Sequence, residues 1–212
     1  MKALRNRFLD LVLSLYLYNE YQGYTQLQFL MSLIEEHLPE EKSFLAALRK
    51  HAADEEKHYL LFTRYFRSEN RMPFKVQKSV GYFDLLVRTF LGRWTWELGE
   101  KEIFQRPGGF SQLCRIVMMT EFRGMKQVEQ LLSWKMIRNH AQLHRIFKVI
   151  EKDEPSHYLP YRDWLMKSNE RMPSFPERFL DIVVHYTIAL VVFPLLFLSP
   201  GLSRMQAFPS EG

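Results

Sequence analysis

The sequence contains few of the residues that mark several common classes of protein. It has a single cysteine, Cys114, in 212 residues, which excludes a disulfide framework, a zinc–thiolate cluster and a rubredoxin-type iron site within this sequence. Its nine glycines and ten prolines form no biased tract, which argues against a disordered or fibrous chain. No G-x-G-x-x-G fingerprint for a flavin or nicotinamide occurs. Because the sequence has only one cysteine, any metal bound here is expected to have oxygen and nitrogen ligands.

The excess of positive charge is small. The 29 basic and 24 acidic residues give a formal net charge of +5 without a dense basic patch, so no nucleic-acid partner is expected. Basic residues near the N-terminus precede an apolar run at 8–18, but Asp10 interrupts this run and no small-residue cleavage site follows. This pattern favours a helix over a secretory signal. The expected location is cytoplasmic.

Apolar residues recur at spacings of three and four along most of the chain, which is typical of α-helices. The expected helical segments are 3–37, 40–68, 80–98, 110–138, 141–168 and 177–198. Loops are expected at 69–79, around Pro107-Gly108-Gly109 and at 169–176. Nothing in the sequence shows the period-two alternation of strands. The chain is therefore predicted to be all-α.

The second half of the sequence repeats the first. The matched segments are Glu20-Tyr21-Gln22-Gly23 with Glu121-Phe122-Arg123-Gly124, Asp54-Glu55-Glu56-Lys57-His58-Tyr59 with Asp153-Glu154-Pro155-Ser156-His157-Tyr158, Arg71-Met72-Pro73 with Arg171-Met172-Pro173 and, more loosely, Phe83-Asp84 with Phe179-Leu180-Asp181. The matches occur in the same order and are about 100 residues apart. We expect one domain over 1–212, made of three-helix units at about 1–100 and 101–198 and a tail at 199–212.

The repeated residues are of the types that bind metal ions. The expected ligands are Glu20, Glu55, His58, Glu121, Glu154 and His157. In each Glu-x-x-His pair, the spacing puts a carboxylate and an imidazole on one helix face. The remaining glutamate of each half lies about one helical hairpin earlier. Four carboxylates and two imidazoles suit two iron ions, or two manganese ions, bridged by carboxylates. Glu56 is the alternative ligand if the helix register differs by one.

With two such pairs, each preceded by a glutamate one hairpin earlier, the chain resembles the ferritin-like di-iron carboxylate superfamily. This superfamily includes bacterioferritins, rubrerythrins, acyl desaturases, bacterial multicomponent monooxygenases and demethoxyubiquinone hydroxylases. The motifs cover roughly residues 5–168. The resemblance implies a ferritin-like four-helix bundle, here with two additional helices and internally duplicated units.

The resemblance also implies roles for residues beside the ligands. In related enzymes the aspartate before the ligand glutamate hydrogen-bonds a ligand histidine, which implies this role for Asp54 and Asp153; exposed helix carboxylates are the alternative. Pro155 departs from the family pattern and is expected to kink the helix beside Glu154.

Two pairs of residues are candidates for a pocket beside the metals. Gly23 and Gly124 lie one turn after the first glutamate of each repeat. Glycine inside a helix costs about 1 kcal/mol relative to alanine, so the pair indicates either space beside the metals or close helix packing. Tyr59 and Tyr158 follow the ligand histidines, with core packing as the alternative.

The segment 177–198 is very apolar, and three roles are open for it. It is a core or lid helix, the interface of a homodimer, or a peripheral membrane contact lying in the plane of the bilayer. Its most apolar part, 182–198, has only seventeen residues, which is short for a transmembrane span, and the flanking Asp181 and His185 also argue against one.

The resemblance implies two kinds of activity. The favoured one is an oxidoreductase, a monooxygenase or oxidase, that uses O2 to hydroxylate, desaturate or otherwise oxidise a hydrophobic or amphipathic small molecule. Its electrons would come from an external donor or reductase. The alternatives are an iron- or peroxide-handling ferroxidase of the ferritin or rubrerythrin kind, and a non-catalytic helical protein.

Overall fold

The computed structural model describes residues 2–76 and 80–209, and it is all-helical. The α-helices are α1 (Lys2–His37), α2 (Lys42–Ser68), α3 (Tyr82–Leu91), α4 (Gly109–Ser133), α5 (Lys135–Arg138), α6 (Ala141–Asp153), α7 (Pro155–Lys167), α8 (Phe175–Thr187) and α9 (Phe193–Leu198). A 3-10 turn covers Thr95–Glu97, and π-helical turns cover Lys101–Gln105 and Ile188–Val192. Among the described residues the only β-type pairing is an isolated bridge between Phe74 and Arg204. The all-α prediction is confirmed.

Helix α3 is shorter than the expected segment 80–98. It ends at Leu91 because Gly92 has a φ of 72°, a left-handed conformation that glycine adopts without steric cost. The remainder of the expected segment is a 3-10 turn and connecting chain. The expected loop at 69–79 is non-helical from residue 69 to residue 76, whereas 77–79 lie outside the described residues, as do Met1 and 210–212 of the expected tail.

The expected helix at 141–168 is divided at Glu154. Helix α6 ends at Asp153 and α7 begins at Pro155. Proline lacks the N–H donor that a helix interior needs, yet it is well suited to the first position of a helix. The predicted disruption at Pro155 is confirmed, and it places Glu154 at the junction of two helices.

Two helical hairpins pack against each other. Helix α1 packs along α2, α4 packs along α6 and α7, and α2 contacts both α6 and α7. Two apolar clusters fill the interior between them. On α1, Leu17 belongs to one cluster and Leu27 to the other, with Glu20 between them. The same arrangement holds on α2, on α4 and across α6–α7, so the polar residues occupy a layer between two apolar ones.

Helices α3 and α8 pack on this core and on each other. The hydroxyl of Tyr82 on α3 donates a hydrogen bond to Asp181 on α8, and the guanidinium of Arg123 on α4 pairs with the same carboxylate. The Nδ1 atom of His185 lies 3.1 Å from the side-chain nitrogen of Gln127 on α4. Asp181 and His185 of α8 therefore face the protein, whereas Arg178 and Thr187 of the same helix are exposed.

The opposite face of the same helix is exposed. Phe175–Leu198 is a continuous helical segment of 24 residues, long and apolar enough to cross a membrane, yet only 6% of its most apolar stretch is buried. Its exposed large apolar residues are Phe175, Phe179, Leu180, Ile182, Val183, Tyr186, Leu190, Val191, Leu195 and Leu198. We call this set the apolar face of α8–α9. Its exposure argues against the core-helix interpretation of 177–198.

Candidate metal centre

Five of the six expected ligands assemble into two adjoining groups. The first group consists of His51, Glu55, Glu121 and His157, and the second consists of Glu20, Glu55 and His58. Within each group, one ligand atom from every residue lies within 4.8 Å of the others. Glu55 belongs to both groups, so its carboxylate is placed to bridge two ions.

The candidate ligand atoms of the first group lie close enough together to share one ion. The Nδ1 atom of His157 lies 3.3 Å from Oε1 of Glu55 and 3.8 Å from Oε2 of Glu121. Ligands about 2.1 Å from an octahedral ion lie about 3 Å apart when adjacent and about 4.2 Å apart when opposite. The observed separations lie within the range that the ligands of one ion span, so the group is compact enough to hold an ion.

The second group is centred on His58. Its Nδ1 atom lies 3.1 Å from Oε2 of Glu20, and both side chains are buried. Helix α1 supplies Glu20, whereas α2 supplies His58 and the shared Glu55. The first hairpin therefore provides every member of this group.

Glu154, the sixth expected ligand, adjoins the two groups without joining either. Its side chain is 6% exposed, and its Oε2 atom has no hydrogen-bond partner among the described residues. Burial raises the pKa of Glu154 to about 8, and the nearby charges of Glu55 and Glu20 act in the same direction. Burying a carboxylate oxygen without a partner costs free energy. A cation bound by Oε2 of Glu154 would offset this cost.

The two aspartates contact the ligand histidines in a crossed arrangement. Oδ2 of Asp153 lies 3.1 Å from Nε2 of His58, and Oδ2 of Asp54 lies 3.5 Å from Nε2 of His157. Each aspartate thus faces the histidine of the other repeat. Because Nε2 of each ring faces a carboxylate, Nδ1 of each ring points towards the ligand groups.

The charges of the four glutamates are interdependent. Burial and the charge of Glu55 raise the pKa of Glu20 and of Glu121 well above the usual range. Burial acts in the same direction on Glu55, but the neighbouring His157 and His51 outweigh it and lower the pKa of Glu55. Four carboxylates this close in a buried layer need compensating positive charge. Two divalent cations would supply the matching charge, and this donor set fits them.

The two expected pocket glycines differ in how closely they approach a ligand. A Cβ atom on Gly23 would overlap Oε2 of Glu55, so glycine at this position leaves space for that carboxylate. A Cβ atom on Gly124 would lie 3.5 Å from Oε2 of Glu154, which is ordinary van der Waals contact. The space that the Glu55 carboxylate needs therefore accounts for glycine at position 23.

A cavity of about 160 Å³ lies beside the ligand groups. Its polar end is formed by Glu20, His51, Glu55, Glu121 and Glu154. Its apolar wall includes Leu27, Phe29, Leu30, Phe83, Leu98, Ile103, Leu113 and Val117. Gly23 and Gly124 also line the cavity. The cavity therefore joins candidate metal ligands to an apolar surface.

The expected pocket tyrosines lie elsewhere. Tyr59 is buried against Tyr21 and Tyr24, and Tyr158 packs edge-to-face on Phe122. Neither residue is among those that line the cavity. Both point away from the metal ligands because they follow the histidines by one position, which turns a side chain about 100° around the helix.

Sequence patterns do not predict His51 as a member of the site. It lies one turn before Glu55 and two turns before His58 on α2, and this spacing places all three on one helix face. Its counterpart in the second repeat is Ile150, so the duplicated motif does not include it. Glu56, the alternative ligand, is exposed, so the register with Glu55 inward is the one the structure adopts.

Comparison of the chain with protein-family models, with curated proteins and with solved structures finds no match. The candidate function rests on the arrangement of these residues.

Proposed function

We propose that this chain is a ferritin-like di-iron oxidoreductase that uses O2 to oxidise a hydrophobic or amphipathic small molecule. The observation that carries the proposal is the cavity, because it brings two adjoining carboxylate–imidazole groups to one end of an apolar wall. Pockets of this kind suit small organic ligands. Two buried ligand groups that share one glutamate suit a dinuclear centre.

In this proposal α1, α2, α4 and the α6–α7 pair are the four helices of a ferritin-like bundle. Helices α3 and α8–α9 are the two additional ones, and each repeat of the duplicated chain supplies half of the centre. Three contacts between the repeats support this assignment. The crossed pairs Asp153–His58 and Asp54–His157 each join one repeat to the other, as does the position of Glu121 beside Glu55.

The metals would be two iron ions, with manganese as the alternative, held by the six expected ligands. Carboxylate and imidazole ligands suit both metals. Bound iron would supply the reduction of O2 and the oxidation of a C–H bond, with electrons from an external donor or reductase. Glu55 would bridge the two positions, and Glu154 would contribute the oxygen that lacks a partner in the metal-free arrangement.

The remaining residues of the site orient groups and exclude water. Asp54 and Asp153 hold the rings of His157 and His58 with Nδ1 towards the centre. The Nζ atom of Lys57 lies 2.6 Å from Asp54 and 2.8 Å from Asp153, which keeps both carboxylates ionised and in place. The apolar wall would hold a hydrocarbon group beside the metal ligands while it excludes water.

The same wall separates this proposal from the alternative of iron handling. A ferroxidase must admit hydrated cations, which favours a polar approach to the centre. Here most of the cavity surface is apolar, with Leu30, Phe83 and Val117 in its wall, and the other polar residues that line it, such as Gln22 and Gln26, are mainly uncharged. This favours an organic substrate over iron as the substrate.

The test is O2 consumption by the iron-loaded, chemically reduced chain. Fatty acids, aldehydes, quinone-like compounds and aromatic compounds would be screened as substrates, with product analysis by mass spectrometry. We expect one class to accelerate O2 consumption and to yield an oxidised product, and Glu55→Ala to abolish both. Uptake of hundreds of irons per assembly, with no organic product, would support the ferroxidase alternative instead.

We also infer that the apolar face of α8–α9 lies on a lipid bilayer, in the plane of its surface. Asp181 and His185 face the protein, and the outward side of this segment is mostly apolar, with Arg178 as its one exposed charged residue between 175 and 198, so the segment is amphipathic. Tyr82 and Gln127, which contact these two residues, also line the cavity. Two residues that α8 contacts therefore line the cavity, and we propose that a lipid-dissolved substrate reaches it along this helix.

Vesicle flotation tests this inference. We expect the full chain to float with anionic phospholipid vesicles, and Leu190→Ser with Leu195→Ser to reduce flotation severalfold. These side chains are 69% and 65% exposed, so the fold should tolerate their loss. The matched control is Met166→Ser on α7, which is 65% exposed away from this face. A wild-type chain that stays with the aqueous phase as a dimer would assign the face to a homodimer interface instead.

A further inference from the structure

His51 brings a third imidazole to the centre, beyond the two that the duplicated motif provides. The ring is 2% exposed on α2. Its Nε2 atom lies 3.4 Å from Oε1 of Glu55 and 3.7 Å from Oε1 of Glu121. These are the two carboxylates that Nδ1 of His157 also faces. Two imidazole nitrogens therefore converge on the same pair of glutamates.

The orientation of His51 is held from its other side. Its Nδ1 atom lies 3.5 Å from the hydroxyl oxygen of Tyr161, and its ring stacks on His157 with centroids 4.0 Å apart and planes 23° apart. With the proton on Nδ1, the lone pair of Nε2 points between the two glutamates. This nitrogen has no hydrogen-bond partner among the described residues.

A histidine buried only for packing has both ring nitrogens hydrogen-bonded, since an unpaired polar atom in an interior costs free energy. His51 places one nitrogen beside Tyr161 and leaves the other unpaired. The Nδ1 atom of His157, which faces the same two carboxylates, is unpaired in the same way. A cation between them would satisfy both.

We propose that His51 is a metal ligand through Nε2, so that the two metal positions have different ligand sets. This inference rests on the metal centre of the proposed function. One position has two imidazoles, from His51 and His157, whereas the other has one, from His58. The counterpart of His51 in the second repeat is the fully buried Ile150, so that repeat offers no equivalent nitrogen.

The two metal positions should differ in metal preference because they have different numbers of imidazole ligands. Imidazole ligands favour ions late in the series from Mn²⁺ to Cu²⁺ more strongly than carboxylates do. The position with two imidazoles is therefore expected to bind the first equivalent of Co²⁺. The position with one imidazole fills second.

X-ray absorption of the full chain loaded anaerobically with one equivalent of Co²⁺ tests the proposal, because the outer-shell scattering counts imidazole rings. We expect two imidazoles per Co²⁺ in the wild type and one in His51→Gln. The Kd for the first ion should rise at least about tenfold in that variant. The matched control is His144→Gln on α6, which removes an imidazole away from the site and should leave both values unchanged.

The outcomes separate this inference from the proposed function. A wild-type chain that binds two ions, with one imidazole at the first position, would overturn the role of His51 and leave the dinuclear centre intact. A wild-type chain that binds no ion would overturn both. If His51→Gln does not fold, the imidazole count in the wild type decides the question by itself.

Discussion

Replacing Gly23 by alanine tests whether the space beside Glu55 serves a bound metal. The added Cβ atom would overlap Oε2 of Glu55. Ordinary contact begins near 3.5 Å, so the carboxylate would have to move by roughly 1 Å. A misplacement of that size in a ligand shared by two ions should weaken metal binding by about 10- to 100-fold.

Metal affinity should fall in Gly23→Ala, whereas the stability of the metal-free chain should stay the same or rise. Alanine is a better helix former than glycine by about 1 kcal/mol, and the displaced carboxylate is the flexible end of a side chain. The metal-free Gly23→Ala variant should therefore unfold at the same or a higher urea concentration than the wild type. A loss of metal affinity without a loss of stability would identify Glu55 as a ligand whose position depends on this glycine.

Gly124→Ala is the matched control from the second repeat. Its Cβ atom would lie 3.5 Å from Oε2 of Glu154, so no displacement is required. The same helix gain of about 1 kcal/mol is expected, with metal affinity within about 0.5 kcal/mol of the wild type. The assays are urea unfolding of the metal-free chain and anaerobic titration with Mn²⁺ or Fe²⁺. If Gly23→Ala bound metal as tightly as Gly124→Ala, the reasoning would be refuted.

Two further changes test the electrostatics of the centre. Between pH 6.5 and 8 the metal-free chain should lose about 2 kcal/mol of stability. Burial raises the pKa of Glu154 to about 8, so in this range the folded chain keeps a proton that the unfolded chain has already released. As the pH rises through the folded pKa, the folded chain must release this proton as well, and its free energy of unfolding falls. Urea unfolding should show a smaller loss in Glu154→Gln, and an equal loss would contradict this assignment. Asp153→Asn should lower metal affinity by about tenfold because the ring of His58 loses its orienting carboxylate. The control is Asp163→Asn at an exposed position, which should leave the metal titration unchanged. Equal affinities in the two variants would show that the contact between Asp153 and His58 is dispensable.

Local sequence chemistry predicts most of the helices and the points where they break. Pro155 is incompatible with a continuous helix because of its missing N–H group, and the structure divides the helix there. The end of α3 is marked by Gly92, but the apolar pattern continues to Leu98 and masks that signal in the sequence. Spacing on a single helix likewise predicts that Glu55 and His58 share a face, as they do in the second ligand group.

Contacts between the two halves of the chain lie beyond such local rules. Sequence spacing indicates that each aspartate lies beside a histidine motif, but not that Asp54 faces His157 while Asp153 faces His58. The repeat itself hides His51, because the matched position is Ile150. The apolar composition of α8–α9 also does not distinguish a buried helix from an exposed one. Only the packing shows that Asp181 and His185 face inward and that the apolar face of α8–α9 faces outward.

We propose that two metal ions lie between the hairpins, held by Glu20, Glu55, His58, Glu121, Glu154 and His157. The most direct measurement is anomalous diffraction from crystals of the chain loaded anaerobically with Fe²⁺ or Mn²⁺. We predict two anomalous peaks about 3.5–4 Å apart, one beside His157 and Glu121 and one beside His58 and Glu20, with Glu55 in contact with both. A single peak elsewhere on the surface, or no peak in this layer, would contradict the account.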